Sequence, residues 1–187
     1  MRLRPPSRLK HLYPAALLAS AGFLGPVQGQ QANPAVQEAY FRAVAEHFGV
    51  TFQEVTIISE GELQPDEVPV VVFLAERAGV SSDALAAFRR GRRPWREVAR
   101  RFGLNAQAFH LTLPDGVELG RLSRAYGEFR GRPVAEWAGI QLEDDEIVAL
   151  VNLRVLLERT GVSPSRILRL REEAGSFLAT LPLIVPR

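Results

Sequence analysis

A chain of 187 residues that is 47% hydrophobic and 24% charged has the make-up of a globular protein, with room for one domain or two small ones. It contains no cysteine, which excludes disulfides, thiolate metal sites and cysteine nucleophiles. The formal charge is +2. Four of the 23 basic residues and none of the 21 acidic ones lie in residues 1–29, so the remainder carries −2. The basic character therefore belongs to the leader and does not argue for a nucleic-acid partner.

Residues 1–29 read as a signal peptide. Arg2, Arg4, Arg8 and Lys10 make a positive start, Leu12 to Leu24 is apolar, and Gly25-Pro26-Val27-Gln28-Gly29 offers a small-residue exit. Ala19-Ser20-Ala21 is a second cleavage candidate, and Pro14 and Gly22 interrupt the apolar run. The alternative is a basic N-terminal tail. The leader implies a periplasmic or secreted bacterial protein.

One phrase is then written four times, as a helix, a glycine corner, an apolar residue, a polar cap and a second helix. The copies are Ala45…Gly49-Val50-Thr51, Ala75…Gly79-Val80-Ser81, Ala99…Gly103-Leu104-Asn105 and Leu157…Gly161-Val162-Ser163. Helix is expected from about Val36 to Phe48, with Phe41, Val44, Ala45 and Phe48 on its apolar face. Thr51 and Glu54 fit a capping box for the next helix, which ends near Ile58. Val68 to Phe73 is β-branched, yet Pro69 suits a first helical turn and the apolar run continues to Ala78, so a buried helix is expected there. Further helices follow from Ser81 to about Arg90 and from Trp95 to Phe102.

Residues 111–141 hold five glycines and two prolines beside Tyr126, Phe129 and Trp137, and read as a long irregular connection with one or two short helices. Glu143-Asp144-Asp145-Glu146 opens the last long helix, with acids at its positive end. The run suits capping better than cation binding, and it could pair with the arginines upstream. Ser163-Pro164 caps the next helix to about Glu173. Residues 181–187 read as a proline-punctuated tail.

The fold expected is all-α, with about seven helices in repeated helix-turn-helix corners. Its parts are the leader (1–29), an N-terminal helical module (30–110), the connection (111–141) and a C-terminal module (142–187). The two modules look duplicated. Asp66-Glu67-Val68 through Gly79 to Trp95 parallels Asp145-Glu146-Ile147 through Gly161 to Phe177, with 16 residues from glycine to aromatic in each.

Two groups of residues are candidates for binding. Arg89, Arg90, Arg92, Arg93, Arg96, Arg100 and Arg101 crowd one stretch in which Glu97 is the only acid, a candidate anion-binding surface. Tyr126, Arg130, Glu136 and Trp137 are a candidate pocket. The corner at Trp95–Phe109 is also framed like a DNA-binding helix-turn-helix, with Asn105, Gln107 and His110 where base contacts would fall. However, Pro114 cuts the second helix short. Neither His47 nor His110 sits in a known acid–base or metal motif, and no phosphate loop or nucleophile motif is present. No catalytic residue, cofactor or metal is expected.

The stretch Ala125-Tyr126-Gly127-Glu128-Phe129-Arg130-Gly131-Arg132-Pro133 to Trp137, with Asp144-Asp145-Glu146-Ile147, Leu150-Val151-Asn152-Leu153 and Gly161-Val162-Ser163-Pro164, resembles a group of exported bacterial all-helical proteins with no assigned activity. The resemblance implies a helical exported protein. The expected function is a non-enzymatic envelope interaction or structural module, with an envelope protein or an anionic surface as partner and self-association open. The alternative is a helix-turn-helix regulator that binds nucleic acid.

Overall fold

The computed structural model describes residues 33–185, so the leader lies outside the described residues. Among the described residues the fold is all helical. Ten α-helices run in order: α1 Pro34–Phe48, α2 Phe52–Ser59, α3 Val68–Ala78, α4 Ser82–Arg89, α5 Trp95–Arg101, α6 Ala106–Phe109, α7 Ser123–Gly131, α8 Asp144–Thr160, α9 Pro164–Ala174 and α10 Phe177–Ile184. Short 3-10 segments occupy Pro65–Glu67, Gly120–Leu122 and Val134–Gly139. None of these helices is long and apolar enough to cross a membrane.

The excess over the expected seven comes from short helices in the connection and from the C-terminal end. Residues 181–184 of the expected tail belong to α10, which begins at Phe177. Ser176 caps it through Ala179 N–H, and Phe177, Leu178, Thr180, Leu181 and Ile184 are buried. The energy of that burial outweighs Pro182 inside the helix.

The glycine corners form as the sequence frames them. Gly79 and Gly161 end α3 and α8 in the left-handed conformation, at φ +65° and +63°, which a side chain would resist. At the first three corners the residue after the glycine reaches back to the same helical carbonyl: Val50 to Ala45, Val80 to Ala75 and Leu104 to Ala99, at 2.9–3.1 Å. The last corner closes more simply, with Gly161 N–H on Leu157 at 2.9 Å. Thr51 and Ser81 cap the following helices by side chain, whereas Ser163 holds the cap conformation without that bond. Glu54 does not complete the expected box. Its carboxylate accepts the buried Ser82 hydroxyl at 2.7 Å and so ties α2 to α4.

α3 and α8 are the centre. From Val68 to Ala75 every residue of α3 is buried, as are nine residues of α8, including the polar Glu146 and Asn152. A helix apolar around most of its circumference belongs inside a helical stack. Here α1, α4, α5, α9 and α10 pack around the pair. Asn152, fully buried, accepts the Tyr40 hydroxyl and donates to the Asp66 and Val148 carbonyls, each at 2.8 Å. All of its hydrogen-bonding groups are thereby engaged, as burial of an amide requires.

Candidate functional site

The seven arginines sit on the turn between α4 and α5 and on the outer face of α5. The turn forms because Gly91 and Arg92 both take positive φ, +77° and +58°, and Pro94 then starts α5. Arg92 is the one non-glycine residue in that region among the described residues. Such a conformation costs on the order of 1 kcal/mol and is most often kept where it serves function.

Arg89 departs from the expected set. Its side chain is only 11% exposed. It pairs with Glu67 at 2.5 Å and Asp144 at 2.9 Å, donates to the Arg93 carbonyl, and lies 4.5 Å over the Trp95 ring. Two carboxylates neutralise it, so it belongs to the framework. Trp95 is held in the same knot. Its indole N–H donates to Glu67 at 3.0 Å and its backbone N–H to Asp144 at 2.7 Å.

The other six arginines are exposed. Arg93 covers the Phe88 ring at 4.4 Å, and Arg96 keeps a long 3.7 Å contact with Glu143. Arg90, Arg92, Arg100 and Arg101 have no acidic partner among the described residues. On α5, Trp95, Val98 and Ala99 point inward, leaving Arg96, Glu97, Arg100 and Arg101 outside.

The acidic run plays two parts. Glu143 and Glu146 form a reciprocal capping box, with Glu143 N–H on Glu146 at 2.8 Å. Asp144 reaches across to Arg89 and Trp95, while Asp145 stays exposed near Arg121 at 3.6 Å.

Two cavities flank the arginine face. One of about 1010 Å³ runs between the end of α2 and the turn, floored by Ile58 and Leu63, with Arg90 and Arg92 at its rim. The carboxylates of Glu62, Glu67, Asp83 and Asp144 also line it, so its charges nearly balance. The second, of about 360 Å³, lies between α5, α6 and residues 138–142 and has Arg96 and Arg100 at its rim.

Of Tyr126, Arg130, Glu136 and Trp137, the first is buried, Trp137 is half-buried, and Arg130 and Glu136 are exposed. Tyr126 and Trp137 pack with Phe129 around His110, whose ring lies 4.3 Å from Trp137 and 4.9 Å from Phe129. The Trp137 indole N–H is shared between the Phe129 and Arg132 carbonyls at 2.9 and 3.1 Å. The Tyr126 hydroxyl donates to Leu111 at 2.5 Å, and burial pushes its pKa up to about 12. Arg130 lies 5.9 Å from the Tyr126 ring, and Glu136 faces solvent.

The helix-turn-helix corner lacks a reading helix, since α6 is four residues long. Asn105 spends its side-chain oxygen on Gln107 N–H, Gln107 is exposed, and His110 is enclosed by the aromatics. His47 Nδ1 lies 2.9 Å from Glu158, off the ring's hydrogen-bonding direction. Burial lowers the pKa of both histidines; Arg154 adds to this at His110, while at His47 Glu158 works against it. Among the described residues no three His, Asp or Glu side chains converge as a metal site would need.

Asp66, Glu67 and Asp144 carry more of the architecture than the sequence reading assigned to them. The signal available for Asp66 and Glu67 was the pairing of Asp66-Glu67 with Asp145-Glu146 across the two modules. In comparisons with known proteins, no family model, curated protein or solved structure matches this chain.

Proposed function

We propose that this protein is an exported, non-enzymatic helical interaction module that rests on an anionic surface of the bacterial envelope through the arginine face of α5 and the turn before it. The observation that carries the reading is the six exposed arginines at residues 90–101 against Glu97 and Glu143, in a chain that is otherwise net acidic. Guanidinium groups suit phosphate and carboxylate because their planar forks donate in pairs. A strained residue, Arg92, holds the turn that presents them. The leader at residues 1–29 and the resemblance to exported helical proteins support the compartment.

The helical corners are read as two related modules. Gln64 with Glu67 and Glu143 with Glu146 are matching capping boxes, and Gly79 and Gly161 end matching helices. Arg89 lies over Trp95 and Arg171 over Phe177, at 4.5 and 5.7 Å.

The test is co-sedimentation of the purified protein with vesicles of phosphatidylglycerol and phosphatidylcholine, against phosphatidylcholine alone. Binding to the anionic vesicles, release by about 0.5 M salt as the Debye length shrinks to a few ångströms, and loss in an Arg90→Gln/Arg92→Gln/Arg100→Gln/Arg101→Gln variant support the reading. Equal pelleting with both vesicles, or retention on duplex DNA with none on vesicles, overturns it.

A further inference from the structure

We propose that the cavity between α5, α6 and residues 138–142 binds a single-chain amphiphile with an anionic head, a free medium-chain carboxylate. The proposal goes beyond surface attachment: it is a site for one small molecule, and of the arginines on the face described above it uses Arg96 and Arg100.

The cavity exists for local reasons. α6 stops after one turn at Phe109, and the chain then leaves for the aromatic cluster. Ala99, Ala106 and Ala138 line the gap, and their short side chains leave it open. Behind them stand Phe109, Ile140, Leu142 and Ile147, all buried core residues. At about 360 Å³ it falls within the range of small-molecule sites, which pair apolar walls with a few convergent polar groups.

The polar groups here are mostly donors. Arg96 and Arg100 stand one helical turn apart on the same side of α5 and share the rim with Asn105 and Gln141. Arg100 has no acidic partner among the described residues, and Arg96 has only the exposed 3.7 Å contact with Glu143. Asn105 uses its oxygen for the α6 cap, so its NH₂ group is the donor it has left to offer. Glu97 is the one acid on the rim. A carboxylate head fits the two guanidinium groups, and an apolar tail fits the alanine-lined space. The larger groove on the other side of the turn has no such preference, since four carboxylates offset its arginines.

Titration calorimetry with octanoate, decanoate, 1-decanol and acetate, each kept below aggregation, tests the proposal. Decanoate is expected to bind about fifteenfold tighter than octanoate, because each of its two further buried methylenes contributes about fourfold. Acetate should give no heat, and 1-decanol should bind about tenfold more weakly than decanoate. Arg96→Gln/Arg100→Gln should bring decanoate down to the decanol level, as loss of two exposed ion pairs predicts. Ala138→Phe, at an exposed position on the mouth, should abolish binding of both while leaving the fold intact.

Equal binding of decanoate and 1-decanol overturns the anionic head. Undiminished decanoate binding by the Ala138→Phe variant overturns the cavity, and retained vesicle binding in that variant leaves the surface reading standing. Arg90→Gln/Arg92→Gln should weaken vesicle binding and leave decanoate untouched. If it weakens decanoate as much as Arg96→Gln/Arg100→Gln does, the anion is held by the face at large and the proposal fails.

Discussion

The carboxylate of Asp66 accepts the backbone N–H of Phe177 at 2.8 Å, across 111 residues of chain, and its other oxygen accepts Leu178 N–H at 3.0 Å. A side chain in the 3-10 turn before α3 thus caps the start of α10. The converse bond runs from Trp95 N–H, at the start of α5, to Asp144, at the start of α8. Asp66 thus serves the helix that follows the α8–α9 corner, and Asp144 the helix that follows the α3–α4 corner. Helix starts carry free N–H groups that need acceptors, and here both acceptors are remote in sequence.

Replacing Asp66 with Ala strands two buried N–H groups. The loss expected is about 3 kcal/mol, seen as a lower urea midpoint with an unchanged slope. Asp145→Ala, exposed and 3.6 Å from Arg121, should cost less than about 0.5 kcal/mol.

Arg89 and Arg90 are neighbours with opposite assignments. Arg89→Ala leaves Glu67 and Asp144 without their cation and uncovers Trp95, so it should cost about 3 kcal/mol. Arg90→Ala should leave the unfolding curve within about 0.5 kcal/mol of the parent and weaken vesicle binding instead. Thermal or urea unfolding beside co-sedimentation separates the two effects.

Arg92 holds φ +58°. Arg92→Gly relieves that strain and should raise stability by about 0.5–1 kcal/mol while lowering affinity for anionic vesicles. A loss of stability would mean that the guanidinium contributes more than the backbone costs.

Stability should fall as pH drops from 7 to 5. Burial lowers the pKa of His47 and His110 below 6.5, so the unfolded chain takes up protons first. Their contribution is complete above about 6.5 and is lost as pH falls through the folded values. Asp66 acts in the other direction at lower pH. Burial raises its pKa above 3.8, so its contribution is complete below that value and is lost as pH rises through the folded one. Urea midpoints of His47→Gln/His110→Gln should show a flatter slope between pH 5 and 7.

Local signals made much of this architecture legible. The glycine corners, the buried α3 despite its β-branched run, and the Glu143–Glu146 cap all follow from residues within one turn of each other. The pairing of the acidic run with Arg89 was within reach for the same reason that its density stood out. What stayed hidden depends on distant residues. α10 reads as a tail because Pro182 is a local breaker, and only packing and the Asp66 cap override it. Arg89 looks like its six neighbours until Glu67 and Trp95 fold onto it. The Tyr126–Trp137 stretch reads as a pocket lining, and its packing around His110 depends on a residue that the local pattern does not single out. The cavity beside α6 joins α5 to residues 138–142, and no sequence period links the two.

The central claim is an exported protein that meets an anionic surface, and its first condition is the compartment. Cell fractionation with mass spectrometry of the native N-terminus tests it most directly. The account predicts a chain that begins near Gln30 in the periplasm or the medium. An intact Met1 in the cytoplasm would contradict it and would return the basic leader and the Trp95–Phe109 corner to the nucleic-acid reading.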